Sequence, residues 1–295
     1  MNQTQFLGTT FAALLGLAFG SFLNVLLARF PEGESVVAPR SHCRQCDHVL
    51  AWWENIPLAS WLVLRGRCRV CQSPISLRYP FVELLMGLLW AACWLKFSTP
   101  AFAPAAGAPA TFRSLAILLG SALFCWLVVA LAALDAEFLW LPDMLTLPGI
   151  GLGFLFSLFR NIPDDAIGWQ TDLVKTFLHA VVAIAATAGI VLLIRLAYWL
   201  VRRQEGMGLG DAKLMAMLGA WLGLRGAMES FTLAVFAAAA TALIWLAILA
   251  IRRNPGQWAK MPLPLGTFLC AAALVEVFYP HWLWTWLNLD VLMTS

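Results

Sequence analysis

Residues 206–213 read Gly206-Met207-Gly208-Leu209-Gly210-Asp211-Ala212-Lys213. Three glycines and a carboxylate stand here between two strongly apolar segments. A carboxylate at the edge of a bilayer is costly and persists where it has a partner or a function. The stretch that answers it is Leu134-Asp135-Ala136-Glu137-Phe138-Leu139-Trp140-Leu141-Pro142-Asp143, 76 positions earlier from aspartate to aspartate. Asp135 and Asp211 each sit where an apolar run meets a polar loop. Two aspartates on different membrane segments can meet in space, which is what aspartate-dyad hydrolysis at a membrane requires. The glycines before Asp211 permit a tight backbone that an extended substrate strand can approach.

Composition agrees with a membrane setting. The chain is 61% hydrophobic and 12% charged over 295 residues, against roughly half apolar and a quarter charged in soluble domains. A net charge of +3 with no basic run excludes nucleic acid as the expected partner. The expected fold class is an all-α polytopic membrane protein in contact with the lipid bilayer.

About 20 consecutive apolar residues cross a bilayer as a helix. By that measure the chain predicts about eight spans, at 6–27, 80–94, 115–134, 144–159, 173–201, 214–224, 231–251 and within 263–287. The sixth is short for a crossing. The first apolar run is too long for a signal peptide and lacks a basic flank, so it reads as a retained span. Gly16 and Gly20 within it form a small-xxx-small pair suited to close helix contact. The Ala/Pro-rich stretch 98–112 reads as irregular. The resulting divisions are 1–29, a first span; 30–79, a polar cysteine-rich domain; 80–134, spans two and three; 135–252, a core carrying both aspartates; and 253–295, a loop with the last span.

Eight spans place both termini on one side. Thirteen lysines and arginines then fall in loops on the side of the cysteine segment and the aspartates, and five on the other. The positive-inside rule makes the richer side cytoplasmic and the termini periplasmic.

Cys43-Arg44-Gln45-Cys46 and Cys68-Arg69-Val70-Cys71 are two CxxC pairs with 21 residues between them, just beyond the usual ribbon spacing. Four thiolates in a closed tetrahedron suit a structural Zn2+. Disulfides and free thiols are the alternatives, and a cytoplasmic face argues against disulfides. With four cysteines present, His42 and His48 read as surface residues. Cys93, Cys125 and Cys270 lie in apolar spans and read as small core residues.

A carboxylate pair sharing one proton lets one member deprotonate water while the other protonates a carbonyl. The plain alternative is that these acids are solvated loop residues, and composition favours that for Glu137, Asp143 and Glu205. Gly206-x-Gly208-x-Gly210 lacks the third spacing of a dinucleotide fingerprint and follows a membrane helix, not a strand. Glu83, just inside the second span, is either a functional intramembrane carboxylate or a partner for Arg78 that holds the helix end.

Motifs along nearly the whole chain resemble the type IV prepilin peptidases, the bifunctional leader peptidase/N-methyltransferases of type IV pili and type II secretion. They are Gly20-Ser21-Phe22-Leu23-Asn24-Val25, the paired CxxC, Arg78-Tyr79-Pro80-Phe81-Val82-Glu83-Leu84-Leu85, Leu134-Asp135 with Leu141-Pro142-Asp143, the Gly-x-Gly-Asp ending at Asp211, and Pro264-Leu265-Gly266-Thr267-Phe268-Leu269.

The resemblance implies a presenilin-like aspartyl protease bundle in the bacterial inner membrane, with Asp135 and Asp211 catalytic and facing the cytoplasm. It implies prepilin and pseudopilin substrates, cut after the glycine that ends a short basic leader. It also implies methylation of the new N-terminal residue, usually phenylalanine, with S-adenosylmethionine as donor. Glu83 and the cysteine domain are the region to which that activity points. Relatives often have Phe-Gly-Pro where this chain has Leu265-Gly266-Thr267, so no role is expected of that loop. The aspartate spacing is longer than expected, with the extra residues placed around 163–171.

Two other classes use such residues. A transporter would employ Asp135, Asp211 and Glu83 as ion ligands, but it requires inverted repeats, and the two halves show no correspondence. A non-catalytic prepilin-holding factor would have no need of both aspartates in their motif contexts.

Overall fold

The computed structural model describes residues 3–101, 108–160, 169–204, 208–251 and 263–282. Among them lie eight α-helices: α1 Gln3–Arg29, α2 Ala59–Val63, α3 Arg78–Ala101, α4 Ala108–Phe138, α5 Asp143–Arg160, α6 Trp169–Arg202, α7 Leu209–Ile251 and α8 Leu265–Phe278. The described residues contain no strand, only two isolated bridges in the cysteine segment. The protein is an all-α polytopic membrane protein. Five helices, α1, α3, α4, α6 and α7, are long and apolar enough to cross a bilayer, and α8 is a shorter apolar helix.

The chain forms two compact units, Met1–Trp126 and Leu127–Ser295. In the first, α1 packs along α3 through the notch expected of Gly16 and Gly20. A Cβ on Gly20 would stand 2.7 Å from the Cα of Glu83, and one on Gly16 would stand 2.5 Å from the carbonyl oxygen of Met86. Only hydrogen at these positions lets the backbones touch. Asn24, one turn on, donates from Nδ2 to the Tyr79 carbonyl at 3.0 Å. The first part of α4 joins them, with Trp126 Nε1 donating to Phe19 O at 3.2 Å. Cys93 and Cys125 are fully buried core residues with sulfurs 3.8 Å apart.

The second unit is built around the first segment of α7. Every residue from 214 to 221 is buried, as expected of a helix apolar on all sides. Its neighbours are α5, α6 and α8. Trp221 donates from Nε1 to Gly149 O on α5 at 2.8 Å.

The sequence reading placed two spans, 214–224 and 231–251, and α7 is likewise two helices that meet at a kink. At about 1.5 Å per residue, 43 residues unbroken would run roughly 65 Å, twice the hydrocarbon thickness. The break is at Gly223, whose φ of 76° and ψ of 176° are non-helical and suit glycine. Two expectations shift. Helix α3 continues to Ala101 and α4 begins at Ala108, so much of the stretch read as irregular is helical. Asp135 lies within the last turn of α4, not after it. The loop at 161–168, residues 205–207 with Gly206 among them, and the part of the expected last span beyond 282 lie outside the described residues.

Substituting alanine at Gly20 is expected to push α1 from α3 and cost about 1–3 kcal/mol. Thermal unfolding in detergent would register this as a lower midpoint than the wild type. An unchanged midpoint would mean that the two backbones do not meet there.

Candidate active site

Asp135 is 5% exposed. Its Oδ2 accepts the backbone N–H of Thr267 at 2.7 Å and stands 3.1 Å from Thr267 Oγ1. The backbone N–H of Gly266 also donates to this carboxylate. These donors belong to the first turn of α8, where N–H groups have no partner within their own helix. The residue preceding that turn, Pro264, offers no side-chain cap. Asp135, 132 positions away on α4, supplies the cap instead, and its charge meets the positive end of the helix dipole. Gly266 makes this possible, since a Cβ there would stand 2.9 Å from Asp135 Oδ2.

Thr267 Oγ1 also lies 3.1 Å from the Ala132 carbonyl. Its single proton serves one acceptor at a time. When Asp135 is ionised, the hydroxyl can donate to it. When Asp135 is protonated, the hydroxyl can turn to Ala132 and accept. Thr267 therefore accommodates either state of its neighbour. The departure from Phe-Gly-Pro left this loop with no role assigned from sequence, and the structure sets its Thr267 N–H and hydroxyl against Asp135.

Asp211 opens the buried segment of α7 and bonds to the backbone of Gly208. Its carboxylate and that of Asp135 lie within electrostatic reach of each other, and Cys270 on α8 feels both. Leu141 packs against Gly210 and completes the surroundings. Asp143, by contrast, is exposed and paired with Lys213 Nζ at 2.6 Å. It ties the start of α5 to that of α7, as expected of a solvated acid worth about 0–1 kcal/mol.

The four CxxC cysteines converge. Cys43 and Cys71 sulfurs are 3.8 Å apart, Cys46 and Cys68 sulfurs 4.0 Å, and all four lie within 4.8 Å of one another. A tetrahedron with Zn–S bonds of about 2.3 Å has edges of roughly 3.8 Å, so the arrangement fits one Zn2+ and is too open for disulfides. The two halves share one design. In each, the first cysteine's N–H bonds to a carbonyl five residues on (His48, Ser73), and its own carbonyl takes the N–H of a residue with positive φ (Asp47, Gln72).

The thiols cannot all ionise unaided. The Ser73 hydroxyl and N–H hold Cys71 down to about 6. At Cys46 the His48 N–H favours the thiolate, yet burial and the other sulfurs push it up to about 12. A dication in their midst would favour all four thiolates.

Glu54, a residue the sequence reading passed over, clasps the two halves. It is 5% exposed. Its Oε2 accepts from Ala51 N–H at 2.7 Å and faces His48 Nε2 at 3.2 Å, while Oε1 faces Arg69 Nε at 3.2 Å. Burial opposes its ionisation, but Ala51, His48 and Arg69 prevail and hold its carboxyl below the ordinary value.

Glu83 is buried and accepts the N–H of Leu58 at 2.8 Å, with Ser21 as a second partner. Leu58 has φ 59° and ψ −49° and lies under a hydrogen bond from Ala59 N–H to Pro57 O. That is a γ-turn of the strained sign. Glu83 thus anchors a strained turn of the cysteine domain through Leu58 and also bonds to Ser21 on α1.

Residues 14–97 match the model of the Bacterial Peptidase A24 N-terminal domain, and residues 122–246 that of the Type IV leader peptidase family. The chain is similar to proteins named Prepilin leader peptidase/N-methyltransferase. The one from Burkholderia pseudomallei (strain 1026b) is 35% identical, over 91% of this chain and 84% of the relative. That from Aeromonas hydrophila is 35% identical, over 92% and 91%. For Myxococcus xanthus (strain DK1622) the figures are 39% identity over 80% of this chain and 62% of the relative. No solved structure matches.

Replacing Glu54 with glutamine is expected to speed zinc release by about 10-fold, since a charged hydrogen bond worth roughly 1.5 kcal/mol is lost between the two cysteine hairpins. Zinc release to a chelator at neutral pH measures it. The lowered carboxyl of Glu54 contributes stability above the ordinary carboxylate range and loses it as pH falls through the folded value. The difference between wild type and Glu54→Gln is therefore expected to shrink below about pH 4. A difference that grows on acidification would contradict the clasp.

Proposed function

The chain belongs to the type IV leader peptidase family, and on that premise we propose that it cleaves the short basic leader of prepilins and pseudopilins with Asp135 and Asp211, then methylates the new N-terminus. The observation that carries the peptidase reading is that Asp135, held by the α8 N-terminus, and Asp211 lie in one unit within electrostatic reach of each other. The site faces the cytoplasm from the bacterial inner membrane, with both termini periplasmic. The substrate's apolar helix lies in the bilayer beside the enzyme, and its basic leader is drawn to the carboxylates.

One aspartate takes a proton from the attacking water as the other gives one to the scissile carbonyl. The bond broken is the one after the leader's terminal glycine. Collapse of the tetrahedral intermediate returns a proton to the departing amine and resets the pair. The two acids titrate as a unit, so the active form is the singly protonated pair. The Thr267 hydroxyl follows the proton by turning between Asp135 and Ala132.

The methyl-transfer reading rests on the first unit. Ser21 and Glu83 meet there, and Asn24 and Tyr79 meet one turn along the same two helices. Asn24 is 1% exposed, and its Oδ1 has no hydrogen-bond donor among the described residues. Glu83 and Asn24 thus offer buried acceptors suited to an amine. S-adenosylmethionine supplies an electrophilic methyl group when bound. The chain's part is to orient the substrate's new α-amine and to accept its proton. The cysteine domain, held by one structural Zn2+ on Cys43, Cys46, Cys68 and Cys71, positions the Leu58 turn over this place.

Purified prepilin with mass analysis of its N-terminus tests the peptidase. Asp135→Asn and Asp211→Asn are each expected to lower cleavage by at least about 10³-fold, and Asp143→Asn to leave it near wild type. Retained cutting in either of the first two would remove that residue from the pair. Thr267→Val is expected to cost roughly 10²-fold in kcat, with Thr267→Ser restoring it. Equal rates in both would reduce Thr267 to a packing residue.

A further inference from the structure

The far end of α8 carries a second constellation that the peptidase chemistry does not use. Glu229 of α7 is 2% exposed and Glu276 of α8 is 3% exposed. His281, just beyond α8, is half-exposed and reaches both. Its Nδ1 is 3.4 Å from Glu229 Oε1 and 3.7 Å from Glu276 Oε1. Its backbone N–H donates to Glu276 Oε1 at 3.0 Å. The backbone of His281 has φ 59°, in the left-handed region, and this conformation turns both its N–H and its ring to the carboxylates. Arg225 Nε lies 3.3 Å from Glu229 Oε1.

Hydrogen bonding is incomplete here. Glu229 Oε2 is buried and without a hydrogen-bond donor among the described residues. A buried carboxylate oxygen in an apolar bundle is costly to leave unmatched. A cation held by Glu229 answers that need.

The geometry selects the kind of cation. One ligand atom from each of Glu229, Glu276 and His281 lies within 4.8 Å of the others. With metal–ligand bonds of about 2.0–2.2 Å, a tetrahedral site has edges of roughly 3.4 Å. The 3.4 and 3.7 Å separations are close to that already. Two carboxylates and an imidazole suit zinc-like divalent ions over magnesium or calcium, which take all-oxygen shells. The half-exposed imidazole gives the ion a way in, and three protein ligands leave a fourth position for water.

We propose that Glu229, Glu276 and His281 form a binding site for a zinc-like divalent cation, separate from the cysteine cluster and from the aspartates. The site joins α7, six residues past its break at Gly223, to the end of α8. Ten residues of α8, roughly 15 Å, separate Glu276 from Gly266, where Asp135 is held. The ion therefore fixes one end of the helix whose other end presents Thr267 to the aspartate. On the proposed orientation it is taken from the periplasm.

The test is a zinc count on purified full-length protein, loaded with zinc alone and dialysed. Wild type is expected to retain about one zinc per chain more than His281→Ala or Glu229→Gln. Because the cysteines can hold zinc too, the same comparison is made in a Cys43→Ser, Cys71→Ser background. There about one zinc is expected to remain and to be lost on adding His281→Ala. His281 is half-exposed, so its variant is expected to fold, and helix content by circular dichroism with an unchanged elution profile serves as the check. Equal zinc in wild type and His281→Ala, with only a lower melting midpoint in the variant, would make the cluster an ion-pair latch and overturn the proposal. A failure of prepilin cleavage by wild type would leave the zinc difference unaffected, so the two readings fail separately.

Discussion

The carboxylate of Asp135 at the N-terminus of α8 is the interaction on which the second unit turns. A buried acid needs donors, and the first turn of a helix has donors without partners. Each need answers the other across 132 positions of sequence. The result fixes the end of α4 against the start of α8 and sets Gly266 where no side chain fits. Since α8 also packs on α7, the same contact decides where Asp135 stands relative to Asp211. A residue proposed to be catalytic is thus also a helix cap. Fold and chemistry draw on one side chain, and the helix donors that stabilise it also restrict its motion.

Buried acids organise the rest of the molecule in the same manner. Glu54 draws the two cysteine hairpins together through His48 and Arg69. Glu83 holds a strained turn by its peptide N–H. Glu229 and Glu276 gather at the end of α8 around His281. In an apolar chain, hydrophobic contact is abundant and unspecific. A few carboxylates that must each find a donor impose far stricter geometry, and a wrong pairing is heavily penalised.

Much of this was legible in the sequence, and the limits have physical causes. The helices follow from long apolar runs, and the cysteine cluster follows from two CxxC pairs whose chemistry asks for four sulfurs together. Asp135 and Asp211 stand out because charge is rare among apolar residues. Thr267 was illegible because a threonine in an apolar helix is ordinary until its partner is known. Glu54 was hidden for the opposite reason, as one acid in a polar segment where acids are common. The boundary between the sixth and seventh expected spans has its physical mark in Gly223, whose torsions break α7, while the polar residues just past it, Arg225 and Glu229, are helical and pair with each other one turn apart.

The break at Gly223 has a mechanical consequence. Before it, α7 is enclosed by protein; after it, Phe236, Leu243 and Ile244 are exposed and meet lipid. Bilayers differ in thickness, and helices in contact with lipid respond by tilting. A stiff rod would carry that tilt straight to Asp211. A single residue with non-helical torsions works as a joint, so the outer segment can lean with the membrane while the inner one stays seated. The kink thus sets the proposed catalytic pair apart from the segment that faces the lipid.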